Sequence, residues 1–264
     1  MTKDVKSMRN GYWVIRTYVS GRVGEKIKYF IPGERPTKSL RKIKSDIKKQ
    51  MQNEASAVKR LARLINANYS QGDYLIGLDY SNTRYSKILS AASGGGDADE
   101  LRRAAEEELR RYIRRVKHAC EKQGIELKYI AITSDMDGET GEAVRVHHHL
   151  IINREAFETA KAKWDAECVH WDTLSSQPDY MPIAEYFMRQ VRRVPDAKKY
   201  MSSRNLIRVQ PKDRIAPSGS EIRPPKGTVL LHRSEYKPGM PQYIRYYTSR
   251  PPEETVPQIL KKSE

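Results

Sequence analysis

Val144-Arg145-Val146-His147-His148-His149-Leu150-Ile151-Ile152 sets three consecutive histidines inside an apolar run that reads as a buried strand. Strand side chains alternate between faces. His147 and His149 therefore point the same way, ~7 Å apart along the chain, and His148 points to the opposite face. Two imidazoles at that separation can converge on one divalent ion. The alternative is a histidine trio satisfied by hydrogen bonds in a core. Three of the chain's six histidines fall here, and burying uncharged imidazoles without a task carries a polar desolvation penalty. That weighs toward metal.

Outward from this strand, the pattern resolves into a domain. A strand over 127–134 and a polar turn, Asp135-Met136-Asp137-Gly138-Glu139-Thr140-Gly141, precede it. A short helix near Arg154 follows, with Ala156, Phe157, Ala160 and Trp164 on one side. A short strand over 168–171 is a further option, and a helix over 183–194 starts after Pro182. Upstream lie a buried strand over 73–80 and a strong helix over 99–123. The helix carries Leu101, Ala105, Leu109, Tyr112, Val116 and Cys120 as its apolar stripe and Gly124 as its stop. The order is β-α-β-β-α-(β)-α, which is the split-βαβ arrangement: an α+β fold with an antiparallel sheet and helices on one face.

Before this domain, 12–18 and 26–31 are β-rich, and Gly21 and Gly24 between them predict a hairpin. A helix over 39–66 follows, with Leu40, Ile43, Ile47, Met51, Val58, Leu61 and Ile65 at helical spacing. Its Lys42, Lys49 and Arg60 read as a solvated face. Ser93-Gly94-Gly95-Gly96 lacks the lysine and serine of a phosphate-binding loop. After the domain, 229–232 and 243–247 predict an edge hairpin, with loose chain past Thr248. The expected division is 1–70 as an N-terminal module, 71–210 as the central domain and 211–264 as a basic C-terminal extension.

Of the 264 residues, Lys and Arg number 49 and Asp and Glu 33, a formal net charge of +16. Such an excess points to a polyanionic partner, nucleic acid or an anionic membrane. No apolar stretch is long enough to span a membrane. Lys3, Asp4, Lys6 and Arg9 leave no room for a secretory signal in the first ten residues. Cys120 and Cys168 cannot build a disulfide framework or a C-x-x-C zinc knuckle, and they fit a reducing cytosol.

Ile183-Ala184-Glu185-Tyr186-Phe187-Met188-Arg189 places Tyr186 and Arg189 three apart on one helix face. A phenol, with a pKa near ~10, is a poor nucleophile alone. It can attack a phosphodiester if a metal polarises the phosphate, and Arg189 can hold that phosphate. A tyrosine packed in the core with a solvated arginine is the plainer reading. Beyond it run Arg192, Arg193, Lys198, Lys199, Arg204 and Arg208, interleaved with Tyr200. Cations for phosphates and aromatic faces for unpaired bases are a single-strand-binding combination.

The histidine strand after a strand-turn element, with a tyrosine helix ~40 residues later, resembles the HUH endonuclease superfamily. Within it, VRVHHHLIIN (144–153) and EYFMRQVRRVPDAKKYMSSRNL (185–206) are similar to rolling-circle replication initiators of phages, plasmids and microvirus-like elements. The resemblance covers roughly residues 73–206. It implies His147 and His149 as metal ligands, with His148 in the place of the family's hydrophobic middle residue. It implies Tyr186 as nucleophile, with Arg189 in the place of the family's lysine. Arginine keeps the cation but cannot serve as a proton shuttle. The family recruits a further polar ligand, for which Asp135, Asp137 and Glu139 are candidates and Asp135 is preferred. Asp79 and Tyr80 end the strand that matches the family's first motif. The implied cofactor is Mg²⁺ or Mn²⁺. The implied reaction is nicking and rejoining of single-stranded origin DNA through a 5′-phosphotyrosine, in a bacterial host's cytoplasm, with a host helicase and polymerase as partners.

Relaxases of the same superfamily show three spread histidines and an N-terminal tyrosine, unlike this order. A non-catalytic DNA-binding regulator, in which the histidines are structural or bind Zn²⁺, is the competing class, and it is told apart by binding duplex DNA and never cleaving it, whatever metal is supplied. An RNA-binding ferredoxin-like module would need exposed sheet aromatics where histidines stand.

Overall fold

Gly21 adopts a φ of +56°, which the tight turn between the two N-terminal strands requires. The β-rich runs on either side pair antiparallel without interruption, from Tyr12↔Ile31 to Ser20↔Val23. A computed structural model describes residues 11–33, 46–92, 97–191, 199–237 and 239–249, without the side chains of 46–54. In chain order the strands are β1 (Tyr12–Ser20), β2 (Val23–Ile31), β3 (Tyr74–Leu78), β4 (Tyr129–Met136), β5 (Ala143–Ile152), β6 (Val169–Thr173), β7 (Met201–Ser202), β8 (Lys212–Ala216), β9 (Thr228–Arg233) and β10 (Gln242–Thr248). The helices are α1 (Asp46–Asn68), α2 (Asn82–Ala91), α3 (Ala98–Lys122), α4 (Phe157–Lys161) and α5 (Met181–Arg189).

The chain divides into two units. A terminal unit comprises Met1–Asn68, Pro178–Tyr180 and Ile207–Glu264, and a central unit comprises Tyr69–Gln177 and Met181–Leu206. Each holds a five-stranded antiparallel sheet. The order is β8-β1-β2-β10-β9 in the terminal unit and β6-β3-β5-β4-β7 in the central one. The α+β class with antiparallel sheets is as the sequence predicts. The domain division is not. Residues 211–264 do not form a separate extension, because β8 pairs with β1 and β10 with β2, closing one sheet from the two ends of the chain. The predicted C-terminal hairpin forms as β9–β10. The loose chain expected past Thr248 falls, from residue 250 on, outside the described residues, as do 39–45 of the predicted first helix and 93–96 of the glycine loop.

In the central unit, strand order β6-β3-β5-β4 is that of a split βαβ, with β7 added at the β4 edge. Asp97 caps α3 by accepting from the Asp99 N–H at 3.2 Å, and Gly124, at φ +70°, ends it. The α3 stripe of Ala105, Leu109, Tyr112, Val116 and Cys120 packs with Ile76, Leu78, Ala131, Val146, Leu150 and Ile152 of the sheet. Tyr112 donates its hydroxyl to the Ala160 carbonyl at 3.0 Å, and its ring meets Trp164 edge-on. Helix α2 has no counterpart in the sequence reading. Of its ten residues only Ile88 is buried, so no apolar stripe announces it.

In the terminal unit Arg63 of α1 forks onto Glu25 of β2, each N···O distance 2.8 Å, and Leu61 and Ile65 of the same helix are fully buried. Lys28, 1% exposed, points into the opposite face of the sheet. Its ammonium donates to the carbonyls of Pro217 and Ser220 and to the Ser220 hydroxyl, at 2.8, 2.5 and 2.9 Å, and burial pushes its pKa down. It pins the chain between β8 and β9 over the sheet. Lys28→Ala strips three acceptors of their donor at once. It is expected to destabilise the first unfolding transition by roughly 2–4 kcal/mol. Urea denaturation of the full chain reads this, and a loss below about 1 kcal/mol would show that water replaces the ammonium.

Candidate active site

β5 is the middle strand of the central sheet, flanked by β3 and β4. Its alternation does what the sequence pattern demands. Val146, His148, Leu150 and Ile152 enter the core under α3, and His147 and His149 lie on the other face, partly exposed.

His148 is fully buried and satisfied: Tyr80 Oη bonds its Nε2, and Thr133 Oγ1 lies 3.1 Å from its Nδ1. The core-histidine reading therefore holds for this member of the trio. Burial first, then the neighbouring imidazoles of His147 and His149, push its pKa down to about 3. A histidine whose folded pKa lies below its unfolded one contributes stability that is full above ~6.5 and drains as pH falls toward the folded value, at ~1.4 kcal/mol per pH unit. Wild-type stability is expected to fall between pH 7 and pH 5. His148→Gln is expected to flatten part of that fall, while His149, shifted down to about 4 by the same desolvation, keeps the rest. Denaturation at the two pH values checks this. Equal slopes for wild type and variant would remove His148 from the account.

The other two imidazoles converge. His147 Nδ1 lies 2.9 Å from the Arg145 carbonyl and must donate to it, which leaves the His147 Nε2 lone pair pointing outward. That nitrogen stands 3.0 Å from His149 Nε2. An Nε2–H of neutral His149 donating to that lone pair accounts for the separation, and so does a cation held by two lone pairs. Cis ligand atoms at ~2.1 Å from an octahedral ion stand ~3.0 Å apart, so the spacing suits a small divalent cation. Desolvation keeps His149 neutral near pH 7, opposed in part by a hydrogen bond with Gln190. A neutral imidazole is the form that binds metal.

α5 lies on this same face. Phe187, fully buried, anchors it with its ring 6.0 Å from that of His149, and Tyr186 next to it is exposed with its ring 5.4 Å from His149. The end of α5 is tied to β4: Ser134, opposite His147 in the ladder, sets its hydroxyl 3.1 Å from the Gln190 carbonyl and 3.2 Å from Gln190 Oε1. Arg189 is exposed, its Cβ against Gly138 of the β4–β5 turn.

The structure thus brings His147, His149 and Tyr186 together and keeps Arg189 on the tyrosine's helix. It does not bring Asp135 to them. Asp135 sits at a bulge in β4, where its Oδ1 pairs with buried Arg102 of α3 at 3.2 Å. Asp137 accepts the Glu139 and Thr140 N–H groups within its own turn, which holds its carboxyl below the usual range. Among the described residues, no group of three or more His, Cys, Asp or Glu converges as a metal cage. Mg²⁺ and Mn²⁺ prefer oxygen ligands, so the imidazole pair alone is an incomplete site for either, and water or a phosphate oxygen would fill the remaining positions. Arg192, Arg193 and Lys198 lie outside the described residues, and of the predicted basic run Lys199 is half-buried and Arg204 exposed. Tyr180, the other tyrosine near Tyr186 in sequence, belongs to the terminal unit and is 5% exposed.

One feature escaped the sequence reading. The ladder puts Gly77 between His149 on β5 and His170 on β6. A Cβ on Gly77 would stand 3.9 Å from His149 Nδ1 and 3.7 Å from His170 Cβ, so the glycine floors an open strip between them. His170 Nε2 lies 3.0 Å from an Asp79 carboxylate oxygen, both groups well exposed. The glycine inside a strand pattern was the available signal, since such a residue marks a close approach.

No protein-family model matches this chain, and no curated protein or solved structure is found similar to it. Among the described residues no helix is long and apolar enough to cross a membrane.

Proposed function

We propose that this protein is an HUH-type endonuclease that nicks and rejoins single-stranded DNA, acting as a rolling-circle replication initiator. The observation that supports it is the 3.0 Å approach of His147 Nε2 to His149 Nε2 beside the exposed ring of Tyr186. A divalent ion on that pair, Mg²⁺ or Mn²⁺, would supply Lewis-acid polarisation of a phosphate oxygen. The chain's own groups do the rest. Tyr186 Oη forms the new bond to phosphorus, and the bond from phosphorus to the 3′ oxygen breaks. The products are a 5′-phosphotyrosine and a free 3′-hydroxyl that primes synthesis. Arg189 stays cationic and holds the phosphate, so the phenolic proton leaves to water rather than to it, and the departing 3′ oxygen takes its proton from water. The covalent link conserves the phosphodiester, and resealing by the reverse attack needs no ATP. Origin DNA, a host helicase and a host polymerase are the partners this reading requires.

The test uses the full chain, Mn²⁺ or Mg²⁺, and a labelled random-sequence single-stranded library. A denaturant-resistant protein–DNA adduct that EDTA prevents is the expected product. Tight duplex binding with no adduct under either metal would favour the non-catalytic regulator instead.

A further inference from the structure

The net charge is not shared between the two units. The terminal unit holds 28 Lys and Arg against 12 Asp and Glu, and the central unit holds 21 against 21, so the whole +16 belongs to the terminal unit. The unit with the histidine pair is electrically balanced, and the excess lies elsewhere.

The register of the terminal sheet shows where part of it goes. Lys26 on β2, Thr17 on β1 and Lys212 on β8 stand in one row. Two residues along, on the same face, stand Lys28, Ile15 and Arg214, and beyond them Phe30, Trp13 and Ala216. Rows two residues apart are ~7 Å apart along a strand. Lys28 is buried under the connection between β8 and β9. The side chains of Lys212 and Arg214 are exposed and that of Lys26 is half-buried. The Lys26 ammonium also bonds the carbonyl of Arg223, whose own side chain is exposed, so the backbone of a fourth basic residue meets this corner. No carboxylate occupies these rows. Asp213 alternates to the other face, where it pairs with Arg16 at 2.6 Å. Burial lowers the Lys26 pKa, and the charge of Arg214 lowers it further, the mark of like charges held close. Phe30, 44% exposed, tilts against Trp13 at the margin, with 5.6 Å between ring centroids.

We propose that this face of the terminal unit binds single-stranded nucleic acid, with Lys26, Lys212, Arg214 and Arg223 on backbone phosphates and Phe30 against a base. Uncompensated cations on one sheet face are complementary to a phosphate chain, and an exposed aromatic beside them adds a platform that a duplex, with its bases stacked inside, does not use. The site lies within the terminal unit and does not require Tyr186 to be a nucleophile.

Fluorescence anisotropy of a labelled oligothymidylate, with full-length Tyr186→Phe protein between about 50 and 200 mM salt, tests it. Affinity is expected to fall steeply with salt. Adding Lys212→Glu, Arg214→Glu and Arg223→Glu together is expected to weaken binding at least about tenfold and to reduce the log–log salt slope by about 2. Lys212→Arg with Arg214→Lys is expected to bind like the parent. Phe30→Ala is expected to weaken binding roughly fivefold or more with the slope unchanged. If the triple variant melts early, Lys212→Gln with Arg214→Gln, both on an exposed edge strand, carries the same test with a slope change of about 1. Unchanged affinity and slope in a folded variant overturns the proposal, as does duplex binding as tight as single-strand binding. Salt-dependent binding, together with wild-type protein that never forms the adduct under Mg²⁺ or Mn²⁺, would refute the nuclease reading and leave this one standing.

Discussion

Tyr186→Phe is expected to abolish the covalent protein–DNA adduct, a loss of at least about 10⁴-fold in adduct formation, since removal of a nucleophile leaves only residual catalysis. The substitution is informative because it takes away one oxygen and little else. The ring that faces His149 is kept, as is the buried Phe187 anchor beside it. Tyr186 is 36% exposed, so the change in stability is expected to stay within about 0.5 kcal/mol, as for exposed positions away from caps and core. Denaturing gels with labelled DNA read the adduct, and a thermal melt reads the fold. An adduct that survives in a folded Tyr186→Phe protein assigns the chemistry to another tyrosine. The exposed position on the helix beside the histidines would then have to be explained by binding alone.

His147→Ala and His149→Ala are expected to weaken Mn²⁺ binding at least about 100-fold, at or beyond the 10–100-fold range of changes that only reposition a ligand. The affinity is best measured by Mn²⁺ spin resonance on the Tyr186→Phe background, so that turnover plays no part. Both imidazoles present Nε2 to the same point, and neither has a carboxylate close enough to substitute for it among the described residues. With only two protein ligands, losing either leaves a single nitrogen, which water competes with easily. Asp135→Asn is expected to change Mn²⁺ affinity little, since its carboxylate is committed to Arg102 in the core, although it weakens that ion pair. If Asp135→Asn abolishes Mn²⁺ binding while the protein stays folded, the third-ligand assignment made from the sequence is right after all. If the histidine variants bind Mn²⁺ like wild type, the pair is held together by a shared proton and the nuclease reading loses its support.

The parts of this architecture legible in the sequence are those written in a local period. The α3 stripe recurs every three or four residues, and five of its six predicted positions, Ala105, Leu109, Tyr112, Val116 and Cys120, are buried. The β5 alternation separates His148 from His147 and His149, and the ladder follows it. Helix α2 was illegible because a mostly solvated helix with one buried side chain has no stripe to read. β7, two residues long, is too short for any period. Asp135 pairs with Arg102 for a reason the sequence does not record: the bulge between Ser134 and Met136 interrupts the alternation from which its facing would be inferred, and a buried arginine 33 positions upstream bonds its carboxylate.

By itself, the sequence determined the α+β class, the hairpins, the two long helices and the facing of the histidines, because each depends on the spacing of neighbours along a backbone of fixed repeat. Tertiary structure alone decided that the two chain ends share one sheet, that Tyr186 stands beside His149, that Gly77 opens a strip toward His170, and that Lys26, Lys212 and Arg214 meet at one corner. Those include pairings between residues more than two hundred positions apart, Val23 with Tyr247 among them. They are set by which surfaces can be buried together, and no local period records that choice.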